Sequence, residues 1–111
     1  MTKYLISLFA MIFLYGSALA EDSRAEIIWI DVRSPEEFAE DHLAAAINIP
    51  HNEIGNRITA VTTDKQAEIR LYCRSGGRAG MAKQTLEALG YTQVVNDKHL
   101  KGARTAYQRA Q

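Results

Sequence analysis

The sequence lacks several features that would point to a particular class of protein. Its 111 residues include one cysteine and two prolines, and 13 acidic side chains balance 13 basic ones. A single cysteine cannot close an internal disulfide, and a balanced charge favours neither nucleic acid nor an anionic membrane as a partner. No internal repeat, low-complexity segment or proline-rich linker interrupts the chain. These absences leave one small domain as the simplest organisation.

Metal ligands and nucleic-acid contacts are also missing. The histidines His42, His51 and His99 do not have the spacing of metal ligands, and no Cys/His cluster accompanies them, so zinc is not expected. The sole tryptophan, Trp29, lies in an apolar run without an aromatic companion or a basic patch. We therefore assign it to the core, and we expect no nucleic-acid partner.

The only long apolar stretch is at the start of the chain. Lys3 precedes an apolar segment from Tyr4 to Tyr15, and Ala18-Leu19-Ala20 then stands before an acidic pair. This pattern predicts a secretory signal peptide over residues 1–20, cleaved after Ala20, and a mature domain over residues 21–111. An uncleaved anchor is the alternative, but the stretch is shorter than the roughly 20 apolar residues that span a bilayer. In a Gram-negative host the protein would be periplasmic, with no stable membrane insertion after cleavage.

The remaining chain alternates between predicted strands and helices. Strands are expected at 27–30, 46–49, 69–72 and 93–95, and the first is apolar throughout, as in a strand covered on both faces. Helices are expected at 35–42, 54–61, 79–89 and from 100 onwards. Ser34 and Glu37 form a capping box at the first helix. The buried face of the third helix is predicted to carry Ala79, Ala82, Leu86 and Leu89. The alternation predicts an α/β domain with a mainly parallel sheet, whose ligands bind at the carboxyl ends of the strands.

The cysteine lies at one of these strand ends. Residues 72–79 read Tyr-Cys-Arg-Ser-Gly-Gly-Arg-Ala and join the third strand to the following helix. Gly76 and Gly77 allow a tight turn with inward N–H groups, and the helix N-terminus, Arg74 and Arg78 add positive charge. An unpaired cysteine in an exported protein is an intermolecular link, a buried bystander or a reactive thiol. The loop favours the reactive thiol, with a pKa lowered from about 8.5.

Four segments in order resemble signatures of the single-domain rhodanese family, and the resemblance covers residues 27–95. The segments are Asp31-Val32-Arg33-Ser34-Pro35-Glu36-Glu37-Phe38, His42-Leu43 before Ala46-Ile47-Asn48-Ile49-Pro50, residues 72–79, and Leu89-Gly90-Tyr91. The resemblance implies a rhodanese-like fold of three layers, with helices flanking a mainly parallel central sheet. It also implies a thiosulfate sulfurtransferase. Cys73 would attack the outer sulfur of thiosulfate, carry it as a persulfide and pass it to cyanide or a thiol.

The resemblance also implies roles for the surrounding residues. The substrate-binding positions would be Arg74, Ser75, Gly76, Gly77 and Arg78. Asp31 and Arg33 are kept as supporting residues, because a charged pair at a strand end more often makes structural contacts. We expect a small anionic sulfur donor such as thiosulfate, a cyanide or thiol acceptor, no metal or organic cofactor, and a monomer.

Two alternatives remain beside the enzyme. One is a rhodanese-like module that carries sulfur or binds an anion for a partner protein with little turnover. The other is a phosphatase, but related phosphatases have five residues between the catalytic cysteine and arginine, whereas four separate Cys73 from Arg78 here. Residues 98–103 depart from the family, because its members often have a Gly-Gly turn and a tryptophan in the segment that covers one side of the active site, whereas this chain reads Lys-His-Leu-Lys-Gly-Ala.

Overall fold

Strands and helices alternate along the part of the chain that the computed structural model describes, residues 26–111. The predicted signal peptide lies outside these residues. The strands are β1 (Ile28–Asp31), β2 (Ile47–Asn48), β3 (Glu68–Cys73) and β4 (Gln93–His99). The helices are α1 (Pro35–Glu40), α2 (Ile54–Val61), α3 (Gly77–Ala88) and α4 (Leu100–Ala110).

The four strands form one parallel sheet in the order β2-β1-β3-β4. In the two central strands Ile30 pairs with Leu71 and Asp31 pairs with Tyr72. All four carboxyl ends therefore meet at one edge of the sheet. Since the connections between parallel strands must cross over, each is made by a helix, as the predicted α/β class requires.

Each face of the sheet is covered by helices, which makes three layers. Successive strand residues point to opposite faces, so Leu71 and Cys73 join one cluster and Tyr72 joins the other. The first cluster packs β-strand side chains on α2 and α3, with Ile58 and Leu86 fully buried. The second brings Trp29 and Tyr72 against α4. Burying an aliphatic side chain of this size contributes roughly 1.5–3 kcal/mol, so these two clusters fix the sheet between its helices.

The predicted start of α1 is confirmed. The Ser34 hydroxyl accepts a hydrogen bond from the Glu37 backbone N–H at 3.2 Å, and the Glu37 carboxylate accepts one from the Ser34 N–H at 3.1 Å. Pro35 occupies the first helical position, where its missing N–H has no cost. The helix ends at Glu40, slightly before the predicted residue 42.

The lengths of two strands and the exposure of one side chain differ most from the predictions. β2 has two residues where four were expected, and its Ile47 is 42% exposed at the edge of the sheet. β4 continues to His99 instead of ending at residue 95. Leu89 was wrongly placed on the buried face of α3 and is 43% exposed. It is the C-cap that follows the last helical residue, Ala88, so helical spacing no longer decides where its side chain lies.

No helix within residues 26–111 is long and apolar enough to cross a membrane.

Candidate active site

The cysteine loop runs from the end of β3 to the first residue of α3. Cys73 is the last strand residue, and Gly76 caps the helix with a φ of +101°. This left-handed conformation is open to glycine and strained for other residues. Gly77 has no such requirement, since a β-carbon added to it would meet nothing within 4 Å. Of the two predicted turn glycines, Gly76 is therefore the one that the backbone needs.

The sulfur of Cys73 faces backbone N–H groups. Its Sγ accepts hydrogen bonds from the N–H of Gly76 at 3.0 Å and of Ala79 at 3.4 Å. Burial raises the pKa of the Cys73 thiol. Hydrogen bonds from the backbone N–H groups of Ala79, Gly76, Ser75 and Arg78 have a larger opposite effect, so the pKa lies below its ordinary value. Donors at a helix N-terminus stabilise a thiolate in this way.

This balance predicts the pH dependence of alkylation by iodoacetamide, a neutral reagent. Because only the thiolate reacts, the rate should rise with pH, and the midpoint of this rise should lie below the pKa of a free thiol, about 8.5. Cys73 is the only cysteine, so the modified mass reports on it alone. A midpoint at or above 8.5 would mean that burial outweighs the N–H donors.

The two arginines of the loop have different surroundings. Arg78 forms a two-pronged ion pair with Glu37, with Nη1 to Oε1 at 2.7 Å and Nη2 to Oε2 at 3.0 Å. Arg74 lies 3.8 Å from the same carboxylate, and its side chain is 76% exposed. The resemblance implies that Arg78 binds the substrate anion, and in the structure its guanidinium is paired with the carboxylate of Glu37. Ser75 is exposed in the loop.

Glu37 links α1 to the cysteine loop. Its carboxylate completes the capping box of α1 and also holds Arg78. The hydrogen bonds from Arg78 outweigh burial and, with those from Ser34, lower the pKa of Glu37 from 4.5 to about 2. The sequence identifies Glu37 as a capping residue but not as the partner of Arg78, because the two residues lie 41 positions apart.

The lowered pKa of Glu37 predicts a loss of stability in acid. The ionised carboxylate stabilises the fold fully above pH 4.5, and this contribution is lost as the pH falls towards about 2. Glu37→Gln should therefore flatten the fall in unfolding free energy over this range and cost roughly 1–2 kcal/mol at pH 7. Urea unfolding at several pH values measures both effects. An equally steep fall in the variant would assign the acid sensitivity to other carboxylates.

The predicted supporting residues Asp31 and Arg33 form an ion pair at the end of β1. The Arg33 guanidinium donates to the buried Asp31 carboxylate at 2.7 Å from Nη2 and at 3.0 Å from Nε, and Nη2 also donates to the backbone oxygen of Asp41 at 2.6 Å. Asn48 donates to the carbonyl oxygens of both Asp31 and Arg33 at 3.0 Å. These bonds fix the turn that leads into α1 and so set the position of Glu37.

The end of β4 meets the loop from the other side. The Asn96 side chain donates to the Gly76 carbonyl oxygen at 3.0 Å and accepts from the Lys98 N–H at 2.8 Å. Sequence analysis did not identify Asn96. The signal in the sequence that could have identified Asn96 is a polar residue late in the strand that follows the helix after Cys73.

The histidines have local contacts. His42 stacks on Phe38, and the Nδ1 of His99 accepts a hydrogen bond from the Gly102 N–H at 2.9 Å. Within residues 26–111, no group of three or more His, Cys, Asp or Glu side chains could hold a metal ion.

Comparison with known proteins identifies the family to which this geometry belongs. The family model of the rhodanese-like domain matches residues 16–110 of the chain. The chain belongs to the rhodanese-like family. Its predicted fold class is confirmed as well, since a solved rhodanese with anions from Escherichia coli superposes with a TM-score of 0.66 at 42% identity, covering 69% of this chain and 91% of that one.

Curated rhodanese relatives include sulfurtransferases. The chain is 44% identical over 73 residues to thiosulfate sulfurtransferase PspE of Escherichia coli, covering 66% of this chain and 70% of that protein. It is 32% identical over 75 residues to the putative sulfur carrier protein YrkF of Bacillus subtilis, covering 68% of this chain. The chain spans only 40% of YrkF. The comparisons thus establish the fold and the rhodanese-like family.

Proposed function

We propose that this protein is a thiosulfate sulfurtransferase that moves sulfur through a persulfide on Cys73. The observation that carries the proposal is the pair of N–H donors, from Gly76 and Ala79, directed at Cys73 Sγ. Donors in this arrangement stabilise a thiolate before the reaction and an anionic persulfide after it. The name of the relative PspE supports thiosulfate as the donor.

The proposed reaction has two steps. The Cys73 thiolate attacks the outer sulfur of thiosulfate, a new S–S bond forms, and sulfite leaves with the electron pair of the broken S–S bond. Cyanide or a thiolate then attacks the outer sulfur of the persulfide and restores the Cys73 thiolate. Thiosulfate and sulfite are both dianions, so converging N–H groups and nearby cations stabilise the negative charge of the donor and of the leaving group.

Intact mass measurement tests the first step. After exposure to thiosulfate, the protein should gain the mass of one sulfur atom, and addition of cyanide or a thiol should remove it. A protein that gains no sulfur under these conditions would contradict the proposal.

A sulfur carrier is the second candidate, supported by the similarity to the putative sulfur carrier protein YrkF. A carrier would also take up one sulfur but would release it slowly to small acceptors. Steady-state turnover with cyanide and with thiols therefore separates the two candidates, and we expect turnover with at least one of them.

We also propose that residues 1–20 are a signal peptide removed on export to the periplasm. The apolar segment and the Ala-Leu-Ala ending support cleavage after Ala20. N-terminal sequencing of protein recovered from a Gram-negative host should begin at Glu21. A chain that still starts at Met1 and fractionates with membranes would contradict this prediction.

A further inference from the structure

Lys98 has an unusual backbone conformation. Its φ is +73°, and no other non-glycine residue within 26–111 has a positive φ. This left-handed region is unfavourable for a residue with a β-carbon and is adopted freely by glycine. Strain of this kind persists when the surrounding structure imposes it, and it is frequent at functional sites. The chain keeps a long charged side chain where glycine would fold more easily.

The strained residue lies against the cysteine loop. The Cγ, Cβ and Cα atoms of Lys98 lie 3.3, 3.4 and 3.5 Å from the point that a β-carbon on Gly76 would occupy. Asn96 fixes this approach, because its side chain bonds to both the Gly76 carbonyl and the Lys98 N–H. The Lys98 side chain therefore starts beside Gly76, whose own N–H donates to Cys73 Sγ.

The cations around the loop differ in their partners. Arg78 is held by Glu37 through two hydrogen bonds, and Arg74 shares the same carboxylate at 3.8 Å. Lys98 is exposed and takes part in none of the ion pairs formed within the described residues. One carboxylate thus offsets part of the arginine charge, while no carboxylate of residues 26–111 forms an ion pair with Lys98.

We propose that Lys98 is a specificity-determining residue of the cysteine loop and favours small anionic reactants over neutral ones at Cys73. The inference rests on the proposed function in taking Cys73 as the reacting thiol and a sulfur-containing dianion as the donor. Lys98 acts on the approach and binding of the anion, whereas the backbone N–H groups act on the sulfur itself.

Paired alkylation rates test the inference without using sulfur transfer. Iodoacetate is anionic and iodoacetamide is neutral, so the ratio of their rates at Cys73 reports the local charge. Any change in the pKa of the thiol affects both reagents and cancels. Lys98→Gln should lower the iodoacetate-to-iodoacetamide ratio roughly three- to tenfold at low ionic strength. The difference should largely vanish at about 1 M salt, where charges are screened within about 3 Å.

Lys101→Gln is the matched control, because Lys101 is exposed and lies three residues further along the chain. It should leave the ratio unchanged. Lys98→Gly provides a second variant that removes the charge and relieves the backbone strain. It should unfold at or above the temperature of the unchanged protein and show the same lowered ratio as Lys98→Gln.

A ratio unaffected by Lys98→Gln and Lys98→Gly, or lowered equally by Lys101→Gln, would overturn the inference. The KM for thiosulfate should rise several-fold in both Lys98 variants with little change in kcat. If the unchanged protein takes up no sulfur from thiosulfate but its alkylation ratio still depends on Lys98, the proposed function fails and the inference stands. Normal sulfur uptake with a ratio independent of Lys98 overturns the inference alone.

Discussion

Replacing Cys73 by serine is expected to abolish sulfur transfer and to leave the fold intact. The two side chains have similar size, and a serine hydroxyl can accept the same hydrogen bonds from the N–H groups of Gly76 and Ala79. The hydroxyl is hardly ionised near neutral pH, however, and an oxygen at this position cannot form a persulfide. The rate should fall by at least about a thousandfold, as when other enzymes lose their nucleophile.

Two measurements on the purified variant check this prediction. Circular dichroism and thermal unfolding should match the unchanged protein, and a thiosulfate-to-cyanide assay should give no more than the uncatalysed rate. Gln84→Ala is the control, because Gln84 is exposed on α3, the helix that follows the loop, and has no part in the proposed reaction. Activity near the original level in Cys73→Ser would show that Cys73 is not the nucleophile.

Features set by neighbouring residues could be predicted from the sequence. The capping box of Ser34 and Glu37 and the turn at Gly76 each depend on contacts within a few positions. The strand-to-helix position of Cys73 follows from two local patterns, an apolar run and a helical repeat. These features placed the thiol at the carboxyl end of a parallel strand.

Contacts across long stretches of chain could not be predicted in the same way. The pairing of Arg78 with Glu37 requires the N-terminal ends of α1 and α3 to meet at the carboxyl edge of the sheet, which the pairing of β1 with β3 decides. The link from Asn96 to Gly76 depends on β4 lying next to β3 and extending past the predicted strand. The positive φ of Lys98 gave no local signal, because lysine is not typical of that conformation. The sequence therefore indicates the sulfur and the two arginines of the loop, but neither the pairing of Arg78 with Glu37 nor the approach of Lys98 to Gly76.

Replacing Arg78 by alanine is expected to lower kcat/KM for thiosulfate roughly ten- to a hundredfold, the effect of losing a charge-assisted contact of about 1.5–3 kcal/mol. The variant loses a cation at the loop and also leaves Glu37 without its principal partner. The freed carboxylate would repel an incoming dianion. Arg74→Ala is the matched control and should have a smaller effect, since its side chain is 76% exposed and its distance to Glu37 is 3.8 Å.

The double variant Arg78→Ala with Glu37→Gln separates the two causes, because it removes the freed carboxylate together with the arginine. Recovery of part of the lost kcat/KM is expected, since the repulsion is gone but no guanidinium faces the substrate. Full recovery would mean that Arg78 serves only to neutralise Glu37, and no recovery would assign the whole effect to contact with the anion. Equal and negligible effects of Arg78→Ala and Arg74→Ala would contradict the prediction and leave the backbone N–H groups as the main anion site. Steady-state kinetics on the unchanged protein, the two single arginine variants and the double variant distinguish these outcomes. Unfolding is measured for each, because Glu37 also caps α1.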